Sequence, residues 1–173
     1  MERQTKNTGW LSWIRIFLIG RKPAFTLIRI VVLVPLVFIV FRFVLLPVRV
    51  EGPSMEPTYH DGGVNFINCL AYLRHGPQRK DVVGIRFSGH SIMYMKRVVG
   101  LPDDTIQFRR GRLYVNGELL DEPYVILRSR WNSDPVTLGP NEYYVVGDNR
   151  SMNIEDHKHG TVDRERIVGK VLL

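Results

Sequence analysis

Apolar side chains are distributed differently on the two sides of residue 50. Upstream, the stretch 27–46 is interrupted only by Arg29, Pro35 and Arg42, and residues 30–41 carry no charge. Twenty helical residues extend about 30 Å, which is the thickness of the hydrocarbon layer of a bilayer. Arginines near the ends of such a helix reach the headgroups, and a proline is tolerated within it. The pattern therefore predicts a single transmembrane helix over 27–46.

A cleaved signal peptide is the alternative interpretation of this segment, because its uncharged core has only 12 residues. Cleavage needs small side chains just after the apolar core. The residues there are the bulky sequence Leu46-Pro47-Val48-Arg49, so an uncleaved anchor is favoured. Residues 1–26 then form a basic tail. Apolar side chains recur at helical spacing within this tail, which indicates either an amphipathic helix at the membrane interface or an irregular tail; they are Trp10, Trp13, Ile14, Phe17 and Leu18.

Downstream of residue 50 the pattern changes to short runs of β-branched and aromatic residues separated by turn residues. Such runs predict strands, and they lie at 82–87, 91–100, 105–108, 113–115, 118–120, 142–146 and 167–173. Asn116-Gly117 between two of them is the signal of a type I′ hairpin. Only 65–74 has a helix-like pattern. The prediction for 47–173 is a mainly antiparallel β domain, either an open sheet or barrel-like, placed outside the membrane.

The net charge of +7 is concentrated in the first part of the chain. Residues 1–46 hold seven basic side chains and one acidic one, which leaves 17 basic and 16 acidic side chains for residues 47–173. A nucleic-acid-binding domain carries its excess positive charge on the folded part, so nucleic acid is not expected as a partner. Basic residues before the apolar segment indicate instead that the N-terminus is cytoplasmic and the β domain lies on the outer side.

No metal or other cofactor is expected from the sequence. Cys69 is the only cysteine, which excludes an intramolecular disulfide and a cysteine-rich metal site. His157 and His159 form an H-x-H pair without obvious further ligands. No histidine stands in a pattern typical of a serine–histidine site; the other three are His60, His75 and His90. Ser54 is not in a G-x-S-x-G elbow, because position 56 is Glu.

Lys96 is the more suggestive residue. Alternation along the strand 91–100 places it in a largely apolar row with Ile92, Tyr94 and Val98. A lysine in such a row either extends outward at the margin of the sheet or is buried, and burial lowers the pKa of an ammonium group. A neutral amine can then accept the proton of a serine hydroxyl, which is a poor nucleophile without such a neighbour. Ser54 and Lys96 together form a candidate Ser-Lys dyad.

Four segments occur in a particular order after the apolar stretch: GPSMEPT (52–58), RKDVVGI (79–85), KRVVGLPDD (96–104) and GDNR (147–150). In this order and membrane setting the chain resembles the type I signal peptidase family over roughly 44–173. The resemblance implies a predominantly antiparallel β peptidase domain with a membrane-associated surface. It also implies that the enzyme is a serine endopeptidase of the bacterial cytoplasmic membrane, with the lipid bilayer as a partner.

The resemblance further assigns Ser54 as the nucleophile and Lys96 as the general base. The substrate implied is a secretory preprotein with small side chains at the first and third positions before the cut, bound as an extended strand. The backbone N–H of Ser54 would help to hold the oxyanion. The resemblance also assigns roles in oxyanion binding or in support of the dyad to six further residues, which are Gly52, Met55, Asp148, Arg150, Asn153 and Glu155.

The chain also departs from the family pattern at several positions. Gly52 stands where some members have a hydroxyl donor. In the segment GDNRSMNIEDH (147–157), counting places Asn153 at the serine that usually orients the lysine, Glu155 at an aspartate and His157 at an arginine. Asn153 retains hydrogen-bonding capacity, and Glu155 is expected to pair with a cation such as Arg150.

Two other functions are compatible with the sequence. One is a processing peptidase dedicated to a single partner, such as a conjugation component. The other is a non-catalytic, membrane-anchored β module that binds proteins. Loss of Ser54 or Lys96 would mark the second, and both residues are present.

Overall fold

The computed structural model describes residues 23–88, 92–157 and 159–172. The basic tail up to residue 22, and with it the proposed interfacial helix, lies outside these residues, as do His90 and Lys158. The chain separates into two units, Met1–Arg42 and Phe43–Leu173.

The first unit contains the helix α1, Pro23–Ile39, with Pro35 inside it. A short π-helical segment, Val40–Val44, follows. Thr26–Val44 is long and apolar enough to cross a membrane. The helical segment stops two residues before the predicted end of the membrane span, because Leu45 and Leu46 already belong to the first strand.

The second unit is built from strands, and every pairing between the named strands is antiparallel. Seven strands form one sheet in the order β1-β2-β11-β3-β4-β9-β10. Their bounds are β1 Leu45–Arg49, β2 Val64–Asn68, β3 Val82–Ser88, β4 Ile92–Gly100, β9 Glu142–Val146, β10 Gly160–Asp163 and β11 Ile167–Leu172. The central strands therefore have neighbours on both sides, which buries much of β4 and β9.

Four shorter strands form a second sheet in the order β7-β6-β5-β8. They are β5 Thr105–Arg109, β6 Arg112–Val115, β7 Glu118–Leu119 and β8 Val136–Thr137. An apolar cluster that includes Phe108, Leu113 and Trp131 packs this sheet against Val99 of β4 and Val146 of β9. Asn116 and Gly117 have φ values of 52° and 85°, so the predicted hairpin turn with two positive φ angles is confirmed.

The mainly antiparallel β fold is thus confirmed, whereas the helix-like pattern at 65–74 gave a wrong prediction. Residues 64–68 form strand β2, whose backbone pairs with β1 on one side and β11 on the other. The rest of 65–74 is turn and bend. A short apolar run fits helix and strand equally well in sequence, and here the two neighbouring strands decide between them.

Candidate active site

Ser54 lies in a single 3₁₀ turn, Pro53–Met55, that follows β1. Gly52 precedes the turn with φ 86°, a conformation that glycine adopts without strain. Met55 is buried in an apolar cluster with Tyr59 and Ile67, and its carbonyl accepts a hydrogen bond from the Tyr59 amide at 3.0 Å. Packing of Met55 into the core therefore fixes the turn and leaves the neighbouring Ser54 side chain partly exposed.

Lys96 lies in β4, opposite Val83 of β3. Only 4% of its surface is exposed. Its Nζ donates a hydrogen bond to Ser54 Oγ at 2.7 Å. The fold thus brings together the two residues that the sequence analysis proposed as a dyad, although 42 positions separate them.

The segment 147–150 holds β4 and the Ser54 turn together. Asp148 is completely buried and accepts two hydrogen bonds from Arg97, at 2.8 Å from Nε and 2.6 Å from Nη2. Thr58 Oγ1 donates a third at 2.5 Å. Arg97 follows Lys96 directly in the strand, so this buried ion pair connects the lysine to the loop after β9.

Asn149 contacts the Ser54 turn itself. Its amide donates to the Ser54 carbonyl at 3.1 Å, and its Nδ2 donates to the Pro53 carbonyl at 3.1 Å. Gly147 lies so close to the Ser54 carbonyl that a β-carbon at position 147 would collide with this carbonyl. No role for Asn149, Arg97 or Thr58 follows from the sequence alone, although all three lie within the quoted motifs.

The sequence suggested Glu155 as the partner of Arg150, but in the structure Arg150 pairs with Glu122. Its Nη2 donates to Glu122 Oε1 at 2.7 Å, and its Nε donates to the Gly147 carbonyl at 2.6 Å. The guanidinium also lies 5.5 Å from the ring centres of Phe108 and Trp131. Glu155 is exposed instead. The buried partner of Arg150 comes from the irregular loop after β7, which periodicity does not describe.

Gly52 and Asn153 each form a hydrogen bond with a nearby aspartate. The Gly52 amide donates to Asp61 Oδ1 at 2.8 Å. Asn153 is exposed, and its Nδ2 donates to Asp156 Oδ2 at 3.4 Å. His157, four residues later, is the buried member of this segment.

Burial and neighbouring positive charge shift the titration of the histidines near the site. Burial, and then Lys96, Arg150 and His159, lower the pKa of His157 to about 3. Burial likewise lowers the pKa of His159, whose Nδ1 lies 2.8 Å from the Tyr144 hydroxyl oxygen. Among the described residues no group of three or more His, Cys, Asp or Glu side chains could hold a metal ion.

A cleft of about 350 Å³ opens beside Ser54. Its walls come from the end of β1 and the following residues on one side and from β4 on the other; they include Val48, Glu51, Met55, Tyr94 and Met95. A buried lysine against the hydroxyl of a serine that lines a cleft has the form of a serine hydrolase site.

Comparison with known proteins agrees with that class. Residues 24–173 match the family described as "Signal peptidase, peptidase S26". Signal peptidase IB of Staphylococcus aureus (strain N315) is 32% identical over 163 residues, which cover 84% of this chain and 85% of the relative. Signal peptidase I of Bacillus licheniformis is 32% identical over 151 residues, with 81% of each chain covered. A crystal structure of a signal peptidase I from Enterococcus faecalis V583 has 25% identity and a TM-score of 0.45, and covers 56% of this chain and 97% of its own.

The chain belongs to the signal peptidase family, peptidase S26. It is a hydrolase of the serine peptidase class that removes signal peptides. Its N-terminal apolar helix fits a membrane-anchored enzyme.

Proposed function

We propose that this enzyme cleaves secretory preproteins with Ser54 as the nucleophile and Lys96 as the general base. The observation that carries the proposal is the 2.7 Å contact between Lys96 Nζ and Ser54 Oγ at a lysine that is almost fully buried. Burial disfavours an ammonium group, so the site is suited to a neutral amine. With a neutral amine the hydrogen bond reverses, and Ser54 Oγ donates to Lys96 Nζ.

The reaction then proceeds in two stages. Lys96 takes the hydroxyl proton as Ser54 Oγ bonds to the carbonyl carbon of the scissile peptide, and the tetrahedral intermediate forms. When the C–N bond breaks, the Lys96 ammonium gives its proton to the leaving amine. Lys96 next takes a proton from a water molecule as the water oxygen attacks the Ser54 ester. When the ester C–O bond breaks, Lys96 returns this proton to Ser54 Oγ, and the signal peptide leaves as a carboxylic acid that ionises in solution.

The oxyanion of both intermediates needs hydrogen-bond donors fixed before the reaction. The Gly52 amide donates to Asp61, and Gly52 has no side chain to contribute. The Ser54 backbone N–H therefore remains the proposed donor from this turn. The 3₁₀ conformation of Pro53–Met55 and the two hydrogen bonds from Asn149 hold that amide in place.

The substrate is proposed to lie in the cleft as an extended strand. Residues 47–51 on one wall and Tyr94 and Met95 on the other run beside Ser54 and offer extended backbone for strand-like hydrogen bonds. The walls are partly apolar, which suits a short peptide segment with small side chains before the cut.

We place the enzyme in the bacterial cytoplasmic membrane with its N-terminus in the cytoplasm and residues 47–173 on the outer side. The apolar helix supplies a membrane-spanning segment, and six of the seven basic residues of positions 1–46 precede residue 30. A nearly balanced charge in the outer domain gives no reason to expect nucleic acid as a partner.

The test is cleavage of a purified preprotein by the full chain in detergent. Ser54→Ala and Lys96→Met should each lower kcat/KM by about 1000-fold or more, equivalent to ~4 kcal/mol of barrier. Ser133→Ala and Lys80→Met are matched controls in other parts of the domain and should retain cleavage. If folded Ser54→Ala or Lys96→Met kept more than about a tenth of wild-type turnover, the dyad assignment would be wrong.

A further inference from the structure

The cleft beside Ser54 has a carboxylate on its wall, Glu51, which is exposed and precedes the serine by three residues. Strand β1 is the first in the order of the seven-stranded sheet, so β2 is its one neighbour among the described strands. Val50 continues this pairing, because its amide donates to the Gly63 carbonyl at 2.8 Å and its carbonyl accepts from the Gly62 amide at 2.9 Å. Successive residues of an extended strand direct these groups to opposite edges. The backbone of Glu51 therefore faces the other edge, along which the cleft runs.

The side chain of Glu51 lies on the solvent side of this edge. Val48 and Val50 pack into an apolar cluster of the core, whereas Arg49 and Glu51 are exposed, as alternation in an extended segment requires. All four residues line the cleft. The two valines therefore belong to the floor of the cleft, and the two charged residues belong to its rim.

Glu51 has no cation as a partner in the part of the chain that the structure describes, since none of the ion pairs there includes it. Arg49 directs its guanidinium toward Gly62, where a β-carbon would lie 3.8 Å from Nη2. Asp61 is a second exposed carboxylate on this side, and its Oδ1 accepts a hydrogen bond from the Gly52 amide at 2.8 Å. Two carboxylates thus flank Gly52, next to the turn that holds the nucleophile.

A substrate strand along this edge runs in the same direction as residues 47–51, because both lead toward Ser54. Opposite residues of paired strands place their side chains on the same face of the sheet, and successive residues alternate between the faces. The proposed function assigns the small side chains at the first and third positions before the cut to the apolar floor. The side chain at the second position then lies on the rim, on the same face as Glu51.

We propose that Glu51 determines the specificity of this enzyme for the second position before the cut, and that it favours preproteins with lysine or arginine there. The proposal rests on the cleavage of preproteins by Ser54 and Lys96 proposed above. A basic side chain at this position is attracted by the Glu51 carboxylate, and its apolar stem covers the rim. An acidic side chain meets a like charge. Because the contact is the same before and during the reaction, its effect falls mainly on KM.

The test uses three preproteins that differ only at the second position before the cut, with lysine, glutamine or glutamate. The full chain in detergent cleaves them at low salt, and mass spectrometry of the products establishes that the cut is the same. One exposed charge pair changes affinity by up to about fivefold, so wild type should prefer lysine over glutamate by about 5- to 20-fold in kcat/KM. Glutamine should fall between them. Screening in about 0.5 M NaCl should reduce the ratio below about threefold.

Substitutions of Glu51 then identify the side chain that is responsible. Glu51→Gln should lower the ratio of lysine to glutamate cleavage to about twofold, and Glu51→Lys should bring it below one. The matched control is Glu118→Lys, which changes the net charge equally at an exposed position of β7 in the second sheet. This variant should keep the wild-type ratio. Each ratio is taken within one enzyme, so a difference in basal rate between variants cancels.

A wild-type ratio near one would overturn the proposal, and so would a Glu51→Lys enzyme that keeps the wild-type ratio. The wild-type comparison at low and high salt needs no variant, so misfolding of a Glu51 variant does not remove the test. Failure of the proposed function gives a different result. In that case none of the three preproteins is cut, or Ser54→Ala cuts them as well as wild type does.

Discussion

At the scale of single residues, the proposed mechanism requires a neutral Lys96 before Ser54 can react. A lysine in water titrates near ~10.4, and burial of the kind seen at Lys96 favours the neutral amine. The pKa of His157 is lowered to about 3, so this histidine does not titrate between pH 5 and 10. The pH dependence of cleavage in this range therefore tests the titration of Lys96 without a contribution from His157.

We predict that kcat/KM rises with pH between 5 and 10 as Lys96 loses its proton. Lys96→Arg should be as inactive as Lys96→Ala, because a guanidinium stays protonated at any working pH. The measurements are initial rates of preprotein cleavage over this range, with circular dichroism of each variant as the folding control. Near-normal cleavage by folded Lys96→Arg would remove Lys96 from the mechanism.

His157 also links stability to pH. Its pKa is about 3 in the folded protein and near 6.5 in an unfolded chain, so the unfolded state binds the proton more readily. The contribution of His157 is therefore fully present above pH 6.5 and is lost as the pH falls toward 3. Lowering the pH from 7.5 to 5 should reduce the free energy of unfolding by about 2 kcal/mol through this residue alone.

Thermal or urea unfolding of wild type and His157→Gln at the two pH values measures that difference. The lowered pKa of Asp81 contributes only below its ordinary value of 3.8, outside this window. His159 contributes in the same direction and is present in both proteins, so the comparison isolates His157. Identical pH slopes in the two proteins would show that His157 is not buried in its neutral form.

The contact between Ser54 and Lys96 could be predicted from sequence because alternation places the lysine in an apolar row and the serine has an unusual setting. The contact between Arg97 and Asp148 could not, since alternation assigns the arginine to the opposite face, and nothing local indicates a partner 51 positions away. His157 lies in an irregular turn, where burial has no period that a sequence can reveal.

At the scale of elements, the ion pair between Arg97 and Asp148 joins β4 to the loop after β9. Both side chains are at most 10% exposed, so removal of one leaves a buried charge without its partner. We predict that Asp148→Ala lowers the free energy of unfolding by about 3–5 kcal/mol. Cleavage should also fall, because the Ser54 turn depends on the same loop through Asn149.

The matched control is Asp121→Ala. Asp121 lies 3.8 Å from Lys80 with both side chains well exposed, and pairs of this kind contribute about 1 kcal/mol or less. Urea unfolding of the two variants in the same detergent compares the losses directly. Similar losses of unfolding free energy in the two variants would show that the buried Arg97–Asp148 pair stabilises the fold no more than the exposed Lys80–Asp121 pair does.

Most strands of the central sheet could be located from alternation and turn residues, and the hairpin from Asn116-Gly117. Strand β1 could not, because Leu45 and Leu46 continue the apolar run of the anchor. Strands β8 and β10 have only two and four residues and no adjoining Asn-Gly turn, which is the signal that marks the equally short strands β6 and β7. Strand β8 forms by pairing with β5, and β10 forms by pairing with β9. Contacts with distant strands, and not the local sequence, therefore determine both.

At the scale of the whole molecule, charge placement leads to a prediction of topology. Protease added to intact spheroplasts should digest residues 47–173 and spare the N-terminal tail, because the basic residues concentrate before residue 30. Epitope tags at the two ends of the chain distinguish the fragments, and lysed spheroplasts serve as the control. Protection of the chain beyond residue 60 would reverse the orientation.

The packing of Trp131 against His157 gives the site an optical signal of its own. Trp131 is buried, its Nε1 donates to the Met152 carbonyl at 2.7 Å, and its ring touches both His157 and His159. The two other tryptophans lie at positions 10 and 13, in the tail before the anchor. Subtracting the emission spectrum of the Trp131→Phe variant from that of the wild type therefore gives the emission of Trp131 alone. The intensity and wavelength of the Trp131 emission should change, without any added label, when a bound preprotein repacks or protonates the cluster of Trp131, His157 and His159.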